Sequence, residues 1–176
     1  MRRMTKYQLL SFITPLIVIL DQLTKWLVVK HVLMGERISV IPGFFDLVHF
    51  RNQGAAFGLF AAMNASWRGP FFFAVAAVAL AVLAVSFVAL PSRDRLTASS
   101  LALIFGGIIG NVIDRCRFGE VVDFLSWHFR NESVDWTVLG QHISFALEWP
   151  AFNVADSAIT VAMILLVLST LKKSEH

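Results

Sequence analysis

Charge is what this sequence has least of. Only 15% of its 176 residues are charged while 57% are hydrophobic, and the mean hydropathy is +0.69. Soluble domains have roughly 45–50% apolar and about 25% charged residues, so this surplus is a membrane signature. A single cysteine, Cys116, excludes an intramolecular disulfide and leaves the redox compartment open. The net charge is +3, yet no basic run interleaves with aromatics, which removes the case for nucleic-acid binding. The histidines (His31, His49, His128, His142 and His176) show no H-E-x-x-H or comparable ligand spacing, so neither metal nor cofactor is expected. There is no G-x-S-x-G nucleophile motif, and Cys116 has no evident histidine to activate it. Internal repeats and low-complexity tracts are also missing.

What is present is length in apolar runs. Spanning a hydrocarbon core of ~30 Å takes about 20 helical residues. Four stretches qualify: Tyr7–Val28, Phe71–Leu90, Thr97–Ile113 and Val154–Leu171. The first follows a basic start, as in a secretory signal, but no small-x-small cleavage site follows it, so it reads as a retained anchor. Arg2, Arg3 and Lys6, then Arg93 and Arg95, then Lys172 and Lys173 all fall in short segments on one side of a four-span topology. Their density predicts a multi-pass protein with both termini in the cytoplasm.

Two longer segments fall on the other side. In Val29–Gly69, the partial alternation of Ile38 and Val40 with Phe45, Leu47 and His49 around Pro42-Gly43 predicts a small hairpin against the membrane. In Cys116–Ala151, Phe124, Trp127, Phe129, Trp136, Phe145 and Trp149 are scattered among polar residues, as suits the headgroup interface. The expected fold is an all-α membrane protein of four transmembrane helices, with a small extracytoplasmic β-cradle and an amphipathic outer loop or helix, all one domain over 1–176.

The polar residues converge at one depth. Spans one, three and four have their polar ends on the outer side, which brings Asp21, Asn111, Asp114, Asp123 and Asp156 near one plane. An Asp at mid-bilayer costs about 2.5–3.5 kcal/mol, less toward the interface. Asp156 stands in the first turns of its span, where free N–H groups and the helix dipole favour a carboxylate. Alone it also admits the reading of an interfacial helix acid. With Asp123, set among Val121, Val122, Phe124 and Leu125, it offers a pair able to share one proton and act as general base and general acid. Asp114-Arg115 reads as an ion pair at a helix end, Asp21 and Lys25 as an i,i+4 pair, and Asn111 as a ligand for substrate or a tie between helices.

In order along nearly the whole chain, "DQLTK" (21–25), "RNQGAAFG" (51–58), "GNVIDR" (110–115), "VVDF" (121–124) and "FNVAD" (152–156) resemble the motifs of lipoprotein signal peptidase, signal peptidase II. The resemblance implies an aspartic endopeptidase of the bacterial inner membrane, with its active site near the periplasmic face. Its substrates would be prolipoproteins, cut just before a diacylglyceryl-modified cysteine among membrane lipids, and globomycin-type cyclic peptides would inhibit it. The catalytic pair would be Asp123 and Asp156. Asp21, Lys25, Asn52, Gly54, Asn111, Asp114, Arg115, Asn153 and Ala155 would support it or bind substrate.

Between Asp123 and Asp156 lie 32 residues, more than the family usually has. The added stretch, about Phe129–Glu148, fits an elongated lid, an interfacial helix or an insertion without function. Asp135 and Glu148 supply spare carboxylates in it and are expected to be solvated. Two rival readings are a small ion-coupled transporter subunit, since intramembrane acids also build proton relays, and a non-catalytic lipoprotein-binding scaffold.

Overall fold

The computed structural model describes residues 4–54, 64–138 and 141–174, with side chains except at 65, 130–147 and 173–174. Among them are four helices: α1 (Lys6–His31), α2 (Ala65–Ala89), α3 (Arg95–Phe118) and α4 (Val154–Ser174). Each is long and apolar enough to cross a membrane. Local chemistry sets the boundaries. Thr5 and Gln8 form a reciprocal capping box at the start of α1, and the Asp94 side chain accepts from Thr97 N at the start of α3. Helix α3 stops at Gly119, whose φ of 75° is left-handed.

Helix α3 lies between α1 and α4, and its small residues set the spacing. A methyl group on Gly106 would come within 2.7 Å of Ile17 on α1, and one on Gly107 within 2.6 Å of the Ala155 carbonyl on α4. Helix α2 is the least buried and contacts mainly α3. At one end of the bundle the buried Lys6 ammonium donates to the carbonyls of Phe87, Val88 and Leu90 at 2.9, 3.0 and 2.7 Å, capping α2 from α1. At that same end Thr97 meets Ser169 at 2.9 Å, joining the start of α3 to the end of α4.

The opposite end bears a sheet. Strands β1 (Arg37–Ile41), β2 (Phe45–Asn52), β3 (Val121–Val138) and β4 (Gln141–Phe152) pair antiparallel in sequence order. Val28 of α1, Val32 just past its end, and Val122 and Phe124 of β3 form the core that seats this sheet on the helices. The first hairpin is the one expected from alternation around Pro42-Gly43. The second corrects the expectation of an amphipathic loop or helix: residues 121–152 form a β-hairpin whose 139–140 tip lies outside the described residues. Val121, Val122, Phe124, Trp127 and Phe129 are β-branched or aromatic and favour a pleated surface, and pairing with β2 and β4 satisfies the backbone of β3 on both sides.

Candidate active site

The site is built where β3, the start of α4 and the polar ends of α1 and α3 meet. Asn153 is the N-cap of α4. Its side chain accepts from Asp156 N at 3.0 Å while its own N–H donates to Asp156 Oδ2 at 3.2 Å. This is a capping box in N-x-x-D form, and it fixes the Asp156 carboxylate over the first turn. The Asn153 Nδ2 group turns the other way and donates to Asp123 Oδ1 at 2.8 Å. One asparagine, buried to 0% exposure, therefore touches both carboxylates.

Each acid has a second donor. Asn52 Nδ2 lies 2.9 Å from Asp123 Oδ2, and Asn111 Nδ2 lies 2.8 Å from Asp156 Oδ1. Asn52 is itself held by Gly54, whose N–H donates to Asn52 Oδ1 at 2.8 Å. Gly54 has φ +96°, and a Cβ there would stand 2.0 Å from the Phe72 ring of α2. Both the turn and the close approach of α2 therefore require glycine.

Beneath the acids lies an ionic layer that joins α1 to α3. The buried Lys25 ammonium reaches Asp21 at 2.8 Å, Asp114 at 2.9 Å and Asn111 Oδ1 at 3.0 Å. Asp21 also accepts from Ala155 N at 2.9 Å, and Asp114 accepts from Val122 N at 3.0 Å. The layer thus positions the backbone just before Asp156 and just before Asp123. A Cβ at Gly110 would lie 2.6 Å from Asp21 Oδ2, so only glycine leaves room for that carboxylate.

The i,i+4 pair of Asp21 with Lys25 is present as expected. The expected Asp114–Arg115 pair is not: adjacent helical residues diverge around the axis, so Asp114 turns to Lys25 while the Arg115 guanidinium lies over the Phe72 ring at 4.7 Å. Glu148 is exposed, as expected, and it also bonds Arg37 at 2.5 Å and Ser126 at 2.8 Å across the sheet. The Asp135 side chain and residues 55–58 of "RNQGAAFG" lie outside what is described. Cys116 is exposed.

Two contributors escaped the sequence reading. Gln22 bridges Asp21, Asp114 and the Gly110 carbonyl at 3.2, 2.9 and 3.1 Å. Phe72 wedges between Gly54 and Arg115. Gln22 stands inside "DQLTK" and had a local signal; Phe72 sits in an apolar run and had none.

Asp123 is 2% exposed and Asp156 half-buried, and both open onto a cavity of about 560 Å3 also lined by Phe50, Asn52, Trp149 and Phe152. Burial, then the neighbouring Asp156 charge, pushes the Asp123 carboxyl up to about 7, against the bonds from Asn52 and Asn153 and the charge of Lys25. A group so placed can hold or release a proton at neutral pH.

The family model described as "Signal peptidase (SPase) II" matches residues 13–172. The chain belongs to the signal peptidase II family. It is 42% identical over 166 residues to the lipoprotein signal peptidase of Geobacter metallireducens, covering 94% of this chain and 92% of that one. It is equally identical to that of Syntrophotalea carbinolica over 167 residues, covering 95% and 93%. A bacterial membrane enzyme solved by the in meso method at 2.3 Å superposes with a TM-score of 0.74 at 30% identity, covering 94% of this chain and 88% of that one. A second, at 1.9 Å, gives 0.72 at 31% identity, with 93% and 92% covered. Membership in signal peptidase II makes this a peptidase of the bacterial inner membrane, with four helices suited to cross it.

Proposed function

We propose that the whole chain is one aspartic endopeptidase unit, with Asp123 and Asp156 as its catalytic pair. It removes the signal peptide from prolipoproteins by cutting before a diacylglyceryl-modified cysteine. The observation that carries this reading is Asn153 bonded to both carboxylates at the wall of an accessible cavity.

The asymmetry of the pair assigns the roles. Asp156 is the half-buried acid, held at the N-terminus of α4 and facing the cavity, where it can act on a water. Asp123 is the more buried acid and holds the shared proton. Asp156 accepts a proton from water as the water oxygen attacks the scissile carbonyl, and Asp123 donates its proton to the carbonyl oxygen. The tetrahedral diol then collapses. The C–N bond breaks, Asp156 protonates the leaving amine, and the diol returns a proton to Asp123. No covalent intermediate forms. Asn52, Asn111, Asn153 and Gly54 hold the acids, while Asp21, Lys25, Asp114 and Ala155 hold the backbone beneath them. Arg115 lies in electrostatic range of both acids.

The cavity lies at the sheet end of the bundle, and the basic segments lie at the other. The positive-inside tendency then puts both termini in the cytoplasm and the cavity at the periplasmic face. There the substrate's lipid stays in the bilayer while its scissile bond meets the acids. Globomycin-type cyclic peptides would compete for the same cavity. An ion-coupled transporter is disfavoured because the described intramembrane acids cluster at one end and form no relay across the bilayer.

The test is cleavage of a lipid-modified prolipoprotein by the purified protein, with and without globomycin. Asp123→Asn and Asp156→Asn are each expected to abolish cleavage while the fold persists. Near-full activity in either variant overturns the assignment.

A further inference from the structure

Next to the catalytic cavity lies a second hollow, of about 300 Å3, lined by Trp127, Trp149 and Phe152. Its walls are aromatic. Trp149 and Phe152 also line the cavity that holds Asp123 and Asp156, so the two spaces adjoin and share those side chains as a wall. The strand register creates the hollow by setting Trp127 opposite Trp149 and Leu125 opposite Phe152.

The hollow is supported from one side. Trp127 takes edge-on contacts from Phe44 at 5.1 Å and Phe45 at 5.7 Å, which hold its ring in place. It is open on the other, where Trp127 is 45% and Trp149 66% exposed. The polar residues of this part of the sheet are occupied elsewhere: Glu148 and Ser126 bond each other at 2.8 Å, and Asp46 pairs with Arg37 at 2.8 Å. Charge is thus kept off the aromatic side.

We propose that this hollow receives an acyl chain of the substrate's lipid-modified cysteine and is a specificity determinant for it. The proposal rests on the peptidase reading above. The modified cysteine directly follows the scissile bond, so its lipid must leave the cavity a few bonds from the attacked carbonyl. Across Trp149 and Phe152 it meets an apolar surface. Lipid tails are already apolar, so moving one from bilayer to aromatic wall yields little transfer energy. The gain is in position: a chain held here orients the bond against the two acids. Phe152 is next to Asn153, which ties the wall that feels the lipid to the residue that holds both carboxylates.

The experiment compares peptides spanning the cleavage site that carry a diacylglyceryl cysteine or a short S-alkyl cysteine, in mixed micelles. Trp127→Ala is expected to raise KM for the diacylglyceryl peptide about tenfold, with kcat within about twofold, and to leave the short-chain peptide unaffected, while Trp149→Ala, which also opens the catalytic cavity, is expected to raise KM for the diacylglyceryl peptide more than for the short-chain one. Trp149→Phe, which keeps an aromatic wall and guards against misfolding, should fall between. Trp67→Ala, on exposed α2, is the control for general membrane anchoring. An unchanged preference in the Trp149 and Trp127 variants, or an equal loss in Trp67→Ala, overturns the proposal. Binding is read separately from cleavage with a diazirine at the acyl terminus and the Asp123→Asn protein. Labelling of Trp127, Trp149 or Phe152 supports the hollow even if the catalytic assignment fails. Labelling confined to the helices overturns the hollow while leaving that assignment intact.

Discussion

Asn153 and Asp156 cap each other at the start of α4, side chain to backbone in both directions, at 3.0 and 3.2 Å. The device that begins the helix is therefore the device that aims the acid. Because the remaining amide of Asn153 reaches Asp123, helix initiation and alignment of the pair are one structural fact.

Asn153→Ala is accordingly expected to do two separable things. Loss of the cap costs about 1 kcal/mol of stability, while loss of the bond to Asp123 disturbs the pair and lowers kcat by about a hundredfold or more. Asn153→Ser restores an N-cap oxygen without the amide, so it should recover most of the thermal stability and little of the rate. Melting and cleavage measured on the same samples check this. Parallel recovery of both would mean that the amide has no role at the site.

Lys25 faces two buried carboxylates, at 2.8 and 2.9 Å. Lys25→Met leaves Asp21 and Asp114 uncompensated and is expected to cost about 3–5 kcal/mol, as breaking a buried ion pair does. Adding Asp114→Asn removes one stranded charge and should restore part of the loss. Denaturation of the single and double variants in one detergent measures the coupling, and simple additivity would contradict the layer described here.

The Asp123 carboxyl titrates near 7 in the folded protein and near 3.8 when unfolded. Its folded-state value is raised, so its protonation favours folding most at low pH, and that advantage is lost as pH climbs from about 4 through 7. Asp123→Asn should therefore change Tm little near pH 4 and raise it relative to the unmodified chain by pH 8. Activity should fall above about pH 7 with the loss of one proton. A difference in Tm that does not vary with pH would refute both statements.

Gly54→Ala must place a methyl group 2.0 Å from the Phe72 ring at φ +96°. We expect cleavage to fall at least tenfold through displacement of Asn52, whose carbonyl holds the Gly54 N–H. Phe72→Ala in the same chain relieves the clash but not the backbone strain, so rescue should be partial. Full rescue, read by cleavage rate, would assign the whole effect to packing.

Arg37 joins Asp46 and Glu148 in ion pairs of unequal depth. Glu148→Gln, at 35% side-chain exposure, should cost no more than about 1 kcal/mol. Asp46→Asn, at 3% exposure, should cost more, because Arg37 and His128 then lose their shared partner. Equal costs would mean that burial does not govern this cluster.

The four spans were legible because membrane insertion is a local property: twenty apolar residues suffice wherever they stand. The first hairpin was legible for a similar reason, since alternation and Pro42-Gly43 act over a few residues. The second hairpin was not. Its aromatic and β-branched content suits an interfacial helix as well as a strand, and only pairing with β2 decided between them. The same holds for Asp114, whose neighbour in sequence is Arg115 but whose partner in space is Lys25 on another helix.

By itself the sequence determined that this is a four-span membrane protein with its acids at one depth, because hydropathy and charge placement are read residue by residue. It also determined membership in signal peptidase II, through five short motifs in order. The tertiary structure alone decided that Asn153 joins Asp123 to Asp156, that Phe72 wedges against Gly54, and that an aromatic hollow adjoins the cavity. Asn153 and Asp123 alone stand 30 positions apart. These relationships arise from helix packing and strand register, which no local pattern encodes.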